Sequence, residues 1–163
     1  MDETRWLTAA EGEAWLALAT VLMRLPNALD AQLSRDQGLS HFEYAVLASL
    51  SQAPERTLRM SDLAAATEGS LSRLSQVVAR LEKRGWVRRC PDPTDGRYTL
   101  ATLTRAGWNK VVAAAPGHVE EVRRLVFNTL TQRQVGQLTD LSRRIMRALD
   151  PADRDQQGTQ RAD

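Results

Sequence analysis

Apolar residues recur at spacings of three and four over most of the chain, a pattern that predicts a succession of amphipathic helices. In the first helix, residues 8–34, they form one continuous seam, and Thr8 with Glu11 forms a capping box at its start. Pro26 lies within the seam and predicts a kink. The seam consists of Trp15, Leu18, Leu22, Leu25, Leu29 and Leu33.

Three shorter helices follow in the middle of the chain. The second begins after Ser40, with Glu43 completing a capping box, and the third begins near Met60. The turn sequence TEGS separates the third helix from the fourth, residues 71–84. The buried side of the second helix is predicted to hold Phe42, Ala45, Val46 and Leu50.

The fourth helix has two different faces when each residue is turned by about 100°. The apolar face, predicted to pack on the core, consists of Leu71, Leu74, Val77, Val78 and Leu81. The opposite face carries Ser72, Arg73, Gln76, Ala79, Arg80 and Lys83. Such a polar face is ordinarily only a solvated surface. A role in binding therefore requires support from the neighbouring elements of the chain.

After the fourth helix the hydrophobic pattern changes to alternation, which predicts a hairpin. Its strands are residues 87–90 and 98–103, and they flank the turn sequence PDPTDG. Gly96 is expected to allow the tight turn. In the second strand Ala101 and Leu103 share one side with Thr99.

Two further helices complete the predicted elements. Thr104 is expected to cap a long helix, residues 105–128, which the pair Pro116–Gly117 should bend or break. Thr131 and Gln134 form another capping box at the start of the last helix. A short helix, a turn, a helix with one polar face and a hairpin together predict a winged helix-turn-helix.

Composition narrows the class of protein. The chain has 163 residues, 42% of them apolar, a single cysteine, and no apolar run near the roughly 18 residues of a membrane span. The acidic start MDETRWLTAAEGE lacks a signal-peptide pattern, so we expect a cytoplasmic protein. Residues 54–111 hold 11 Lys+Arg and 6 Asp+Glu, a net charge of +5, against −3 for the remainder. This uneven charge favours a polyanionic partner.

The second helix of a helix-turn-helix fits the DNA major groove, so the polar face of the fourth helix is predicted to contact duplex DNA. Ser72, Arg73, Gln76 and Arg80 would read or frame bases, with Lys83 on the same face. Hydroxyls near helix starts are expected to bond phosphates. These are Ser61, Ser70 and Ser75.

Arg97 lies near the tip of the predicted wing and is expected to reach the minor groove or the phosphate backbone. Asp95, two residues earlier, would hold its guanidinium in place. The ordinary alternative is a surface salt bridge contributing at most about 1 kcal/mol. A calcium loop is disfavoured because DPTDG lacks alternating carboxylates and a closing glutamate.

These residues resemble the DNA-binding core of the MarR (multiple antibiotic resistance regulator) family. The family's Asp-x-Arg wing is matched by Asp95-Gly96-Arg97, its Leu-Thr before the next helix by Leu103-Thr104, and LEKRGWVRR matches the usual end of its recognition helix. The similarity covers about residues 8–149. It implies a mainly α fold: a winged helix-turn-helix with a helical dimerisation region, about six helices and a two-stranded wing.

The resemblance also implies a domain plan and a homodimer. Residues 1–53 and 105–150 would supply dimerisation helices around a DNA-binding lobe at 54–104, followed by a polar, disordered tail at 151–163. The function implied is a transcription regulator, in most relatives a repressor, bound to a pseudo-palindromic operator. Packing within a single chain is the alternative use of the apolar residues Val119, Val122, Leu125, Val126, Leu138, Leu141 and Ile145.

Family members often bind small aromatic or phenolic effectors beside the DNA-binding lobe. The candidate residues for such a cleft are Trp15, His41, Tyr44 and Trp108. The ordinary alternatives are that the tryptophans pack in the core or an interface and that His41 is solvated. His41 and His118 are 77 positions apart without a metal-binding motif, so no metal or cofactor is predicted. Cys90 is expected to be a small strand residue rather than an oxidant sensor.

Two rival classes remain. The serines lie in no GxSxG elbow, and neither a glycine-rich phosphate loop nor paired acids are present, which disfavours an enzyme. The other rival is a helical, dimeric protein-interaction module that no longer binds DNA. A DNA binder requires its cations on one side, and those concerned are Arg59, Arg73, Arg80, Lys83 and Arg97.

Overall fold

The computed structural model describes residues 4–149, so the tail predicted at 151–163 lies outside the described residues. Helices α1 to α4 are Ala9–Gln37, His41–Gln52, Met60–Ala66 and Leu71–Lys83, and α5 and α6 are Arg105–Leu125 and Gln132–Leu149. Strands β1 to β3 are Thr57–Arg59, Val87–Pro91 and Thr99–Leu103. Short 3-10 turns occupy Pro54–Arg56 and Phe127–Thr129. The chain divides into two compact units at residues 121 and 122.

The helix starts follow the capping signals of the sequence. The Thr8 hydroxyl accepts a hydrogen bond from the Glu11 amide at 3.3 Å, and the Glu11 carboxylate accepts one from the Thr8 amide at 2.8 Å. Ser40 and Glu43 make the same reciprocal pair at 3.1 and 2.9 Å. The capping boxes are therefore confirmed, because each satisfies helix amides that have no partner within the helix.

Prolines do not interrupt the long helices. Helix α1 continues through Pro26 to Gln37 and ends at Gly38, whose φ of 62° is left-handed. Helix α5 continues through Pro116, so the break considered for the pair Pro116–Gly117 does not occur. The helix ends at Leu125, three residues before the predicted end at residue 128.

A third strand is the main departure from the predicted fold. Strand β1 pairs antiparallel with β3, which pairs with β2, so the sheet order is β1-β3-β2. Thr57 of β1 lies opposite Thr102 of β3, and the two hydroxyl oxygens are 2.9 Å apart. A strand of three residues between a turn and a helix is too short to produce a detectable alternation, so the two-stranded prediction missed it.

The core lies between the short helices and the sheet. Ala101 and Leu103 are buried, as the alternation of β3 predicted, and four of the five apolar residues of α4 are buried. The fifth, Leu71, was placed wrongly, since 56% of it is exposed. The fully buried large side chains are Leu33, Leu39, Val46, Leu47, Leu50, Leu63, Leu74, Val78, Leu81 and Val87.

The start of α5 is held against the segment that joins α4 to β2. The Thr104 amide donates to the Trp86 carbonyl at 3.0 Å, and the Thr104 hydroxyl donates to the Gly85 carbonyl at 2.7 Å. The same hydroxyl caps α5 by accepting from the Gly107 amide at 3.1 Å. A Cβ at Gly107 would lie only 2.1 Å from the Trp86 carbonyl oxygen, so this contact requires glycine.

The second unit, described from residue 122 to 149, consists mainly of α6. The Gln134 side chain accepts from the Thr131 amide at 2.9 Å, which confirms the last capping box. No residue of α6 is buried within this chain. None of the helices between residues 4 and 149 is both long and apolar enough to span a bilayer.

Candidate nucleic-acid interface

The turn between α3 and α4 is fixed by a close contact with α2. Glu68 adopts a positive φ of 50°, and a Cβ on Gly69 would lie 2.7 Å from the Phe42 ring. Ser70 follows as the N-cap of α4, its hydroxyl accepting from the Arg73 amide at 3.2 Å. This compact turn joins α3 to α4 and is held against α2.

The outward side of α4 carries three exposed polar residues, Ser72, Gln76 and Lys83, with the smaller Ala79 half-buried among them. Helical geometry places these four positions within about 60° of each other, so they form one face. The side chains of these three residues make no hydrogen bond or ion pair with another residue of the described chain. Their donors and acceptors are therefore free for a ligand outside the chain.

Arg73 and Arg80 are instead engaged with α2. The Arg73 guanidinium lies 4.2 Å from the centre of the Phe42 ring, and Arg80 Nε lies 3.6 Å from a carboxylate oxygen of Glu43. Arg84 also approaches Glu43, at 3.9 Å. Glu43 is only 5% exposed and was identified from sequence only as a capping residue. Glu43 therefore holds Arg80 at the edge of the polar face, next to Arg84 at the end of α4.

Arg97 and Asp95 form the predicted pair at the wing tip. Arg97 Nη2 lies 2.6 Å from Asp95 Oδ2 and Arg97 Nε 2.9 Å from Oδ1. The hydrogen bonds from Arg97 lower the pKa of the Asp95 carboxyl, and Asp95 raises the pKa of Arg97. The Arg97 side chain is 84% exposed, so it is oriented yet accessible.

Gly96 does not have the role expected of it. Its φ lies outside the left-handed region, and a Cβ added there meets nothing within 4 Å. The turn is closed by other groups: the Tyr98 amide donates to the Asp95 carbonyl at 3.0 Å, and the Asp92 amide donates to the Tyr98 carbonyl at 2.9 Å.

Asp92 anchors the base of the wing, a role that the sequence analysis missed. Its Oδ1 accepts from the Thr94 hydroxyl at 2.6 Å and the Thr94 amide at 2.8 Å, and its Oδ2 accepts from Arg59 Nε at 2.9 Å. These bonds, those from Thr94 foremost, lower the pKa of Asp92 to about 2. Arg59 also lies 4.4 Å from the Tyr98 ring, so it links β1 to the wing. An aspartate two residues before a threonine is the available turn signal.

The remaining predicted serines occupy different environments. Ser61 lies in the first turn of α3, and its hydroxyl donates to Asp62 at 3.1 Å. Ser75 is half-buried and lies in the second turn of α4 rather than at a helix start. Of the three serines, Ser70 alone lies at an N-cap position.

Of the four effector candidates, His41 lines a cleft beside the start of α2. This cleft has a volume of about 440 Å³ and is bounded by Pro26, Asn27, Asp30, Ser40, His41, Phe42, Ala45, Thr67 and Arg73. Tyr44 packs instead on His118, with ring centres 4.6 Å apart. Trp108 is stacked by the Arg56 guanidinium at 4.0 Å, and Trp15 is 55% exposed on α1.

His118 is a neighbour of this region that the sequence analysis did not select. Its ring centre lies 5.7 Å from that of His41, and its Nδ1 is buried without a hydrogen-bond partner among the described residues. Burial, and secondarily the nearby His41, lowers the pKa of His118. No short sequence signal joins positions 41 and 118, because the contact depends on how α2 and α5 pack.

A compact turn that leads into a helix with an exposed polar face, beside a hairpin with a cationic tip, defines a winged helix-turn-helix DNA-binding protein. The model of the MarR family matches residues 37–97, which contain α2 to α4 and most of the wing. The chain belongs to the MarR family of transcriptional regulators, since solved members resemble it over nearly their whole length.

Two of these structures come from Streptomyces coelicolor. The regulator Sco3205, solved in complex with DNA, is 43% identical, with a TM-score of 0.89 over 94% of this chain and 96% of that one. AbsC is 36% identical, with a TM-score of 0.85 over 90% and 98%. The Bacillus subtilis regulator YdcH is 32% identical over 98 residues, which are 59% of this chain and 66% of that protein, just under two thirds of its length.

Proposed function

We propose that this regulator binds a pseudo-palindromic operator as a homodimer and represses transcription from it. The observation that carries the proposal is the exposed, unpaired face of α4 beside an oriented Arg97. A protein-interaction module has no need for such a face, whereas a major-groove reader requires free donors and acceptors. That Sco3205, at 43% identity, was solved with DNA supports the same interpretation.

The side chains of α4 are assigned different roles in DNA binding according to the contacts that each makes within the chain. Gln76 and Ser72 read base edges, because their side chains are exposed and unpaired in the described chain. Arg73 and Arg80, tied to α2, frame the site and approach phosphates, and Lys83 adds charge. Ser70 and Ser75 contribute hydroxyls along α4, and Ser61 does so from α3.

The wing contributes a second contact. Arg97, steadied by Asp95, lies at an exposed tip and meets the phosphate backbone or the minor groove. Asp92 and Arg59 hold the base of the hairpin, so the tip keeps a fixed position relative to the sheet.

Uncovered apolar surface supports the homodimer. In α1 no residue before Leu29 is buried, and in α6 none is buried at all. The exposed large apolar side chains of these two helices are Trp15, Leu16, Leu18, Val21, Leu22, Met23, Leu138, Leu141, Ile145, Met146 and Leu149. Each of the two helices thus presents its own row of exposed apolar side chains, which is typical of protein interfaces, and a second copy of the chain covers such rows symmetrically.

Repression and release follow from occupancy. A dimer that covers a promoter blocks it without any further contact, and no catalytic step is involved. A small aromatic effector in the cleft beside His41 would weaken binding if it changed the separation of the two lobes, since both half-sites must be engaged together. The binding partner in this activity is DNA in the cytoplasm.

Selection of bound duplexes from a random pool, at two salt concentrations, tests the proposal. We expect an enriched site with two-fold symmetry, and a steep loss of affinity with salt from phosphate contacts. Light scattering on the free protein should give the mass of a dimer. A dimer that enriches no duplex would favour the interaction module, and a stable monomer would contradict the proposal.

A further inference from the structure

Leu71, the first residue of α4, is exposed where a core leucine was expected. Between Arg24 and Val111, the only other large hydrophobic side chain that is exposed is that of Tyr98. Tyr98 is covered on one ring face by Arg59, at 4.4 Å. Leu71 is therefore the apolar side chain that the lobe leaves uncovered.

Its position on the helix says where this side chain points. Leu71 directly follows the N-cap Ser70, and Cα–Cβ bonds of an α-helix tilt toward its N-terminus. The N-terminal residues of a recognition helix are those that contact base edges. Ser72, the next residue, is exposed on the same end of α4 and is one of the proposed base readers.

We infer that Leu71 is a specificity-determining residue that packs against the C5-methyl group of a thymine in each half-site. The methyl group is the apolar feature that the major groove presents, and it distinguishes thymine from every other base. This assignment rests on the proposed DNA-binding function and adds to it a named base feature. Polar neighbours at positions 72 and 76 cannot recognise a methyl group by hydrogen bonding.

Replacing thymine by deoxyuridine tests the contact, because only the methyl group is removed. Each thymine of the selected operator is replaced in turn, and affinity is measured by fluorescence anisotropy. For the unaltered protein one position should weaken binding about fourfold when one half-site is changed and about fifteenfold when both are, the values for burial of one methyl-sized group.

The Leu71→Ala variant should bind the thymine and uracil duplexes equally at that position. Alanine keeps the helix start, and Leu71 is exposed, so circular dichroism and the melting temperature should not change. Arg97→Ala is the matched control, in which the full uracil penalty should persist.

An unchanged uracil penalty in Leu71→Ala, or no sensitive thymine in the unaltered protein, overturns the assignment while DNA binding itself stands. Failure of the unaltered protein to bind any duplex overturns the proposed function as well, so the two failures are distinguishable.

Discussion

Removing the charge at the wing tip gives a quantitative test of the role of Arg97. Its side chain is 84% exposed and its one described ion pair is with Asp95, so Arg97→Ala should leave the melting temperature nearly unchanged. If Arg97 neutralises one phosphate per contact, its loss lowers the slope of log affinity against log salt by about 0.9 per half-site.

That slope converts into a measurable ratio. Between 50 and 200 mM salt, a slope difference of about 0.9 changes the relative affinity of the two proteins about 3.5-fold, so the defect of the variant should shrink by that factor on a single half-site duplex. Anisotropy titrations at four salt concentrations provide the slopes. Arg35→Ala is the matched control, because Arg35 also pairs with an adjacent aspartate, at 3.0 Å, but lies on α1.

The Asp95→Asn variant tests whether Asp95 acts by orienting the Arg97 guanidinium or only through its own negative charge. Removing a negative charge near a polyanion should by itself strengthen binding, whereas losing the bidentate pair at 2.6 and 2.9 Å frees the guanidinium. We expect weaker binding with an unchanged salt slope. Stronger binding would refute the positioning role of Asp95, and an Arg97→Ala slope equal to that of the unaltered protein would refute the phosphate contact.

Three further predictions concern the fold and the reading face. Gly107→Ala should lower the stability by about 1–3 kcal/mol or more through overlap with Trp86, whereas Gly96→Ala should be tolerated, and thermal melts compare the two. Asp92 has a pKa of about 2 against a usual 3.8, so the stability that it contributes is complete above about pH 4 and is lost as the pH falls toward 2. Asp92→Asn should therefore melt lower at neutral pH and show a flatter pH profile between 4 and 2; parallel profiles would contradict this. Gln76→Ala should alter preference at particular base pairs, by about 1–3 kcal/mol each, and equal weakening on every sequence would exclude Gln76 from base readout.

The predictable parts of the fold are those determined locally. Capping boxes at Thr8 and Ser40 act within one helical turn, and the alternation in β3 marks Ala101 and Leu103 as buried, so both are visible in sequence. Strand β1 depends on pairing with residues more than forty positions away and has only three residues of its own. Its existence could not be inferred from its composition.

The candidate site divides in the same way. Asp95 and Arg97 are two positions apart, so their pairing was predictable, and the polar face of α4 followed from helical periodicity. The contacts of Arg80 with Glu43 and of Arg59 with Asp92 join distant segments and required the tertiary structure. Leu71 was misplaced because periodicity gives the direction of a side chain but not whether the core extends as far as the helix end.

The separation of the two half-sites tests the central proposal most directly. On the selected operator, five base pairs inserted between the half-sites rotate one of them by about half a turn relative to the other. A dimer with two recognition helices at a fixed spacing should then bind no more tightly than it binds a duplex with a single half-site. Affinity that is unchanged by the insertion would contradict the proposal that two copies of α4 and the wing engage DNA together.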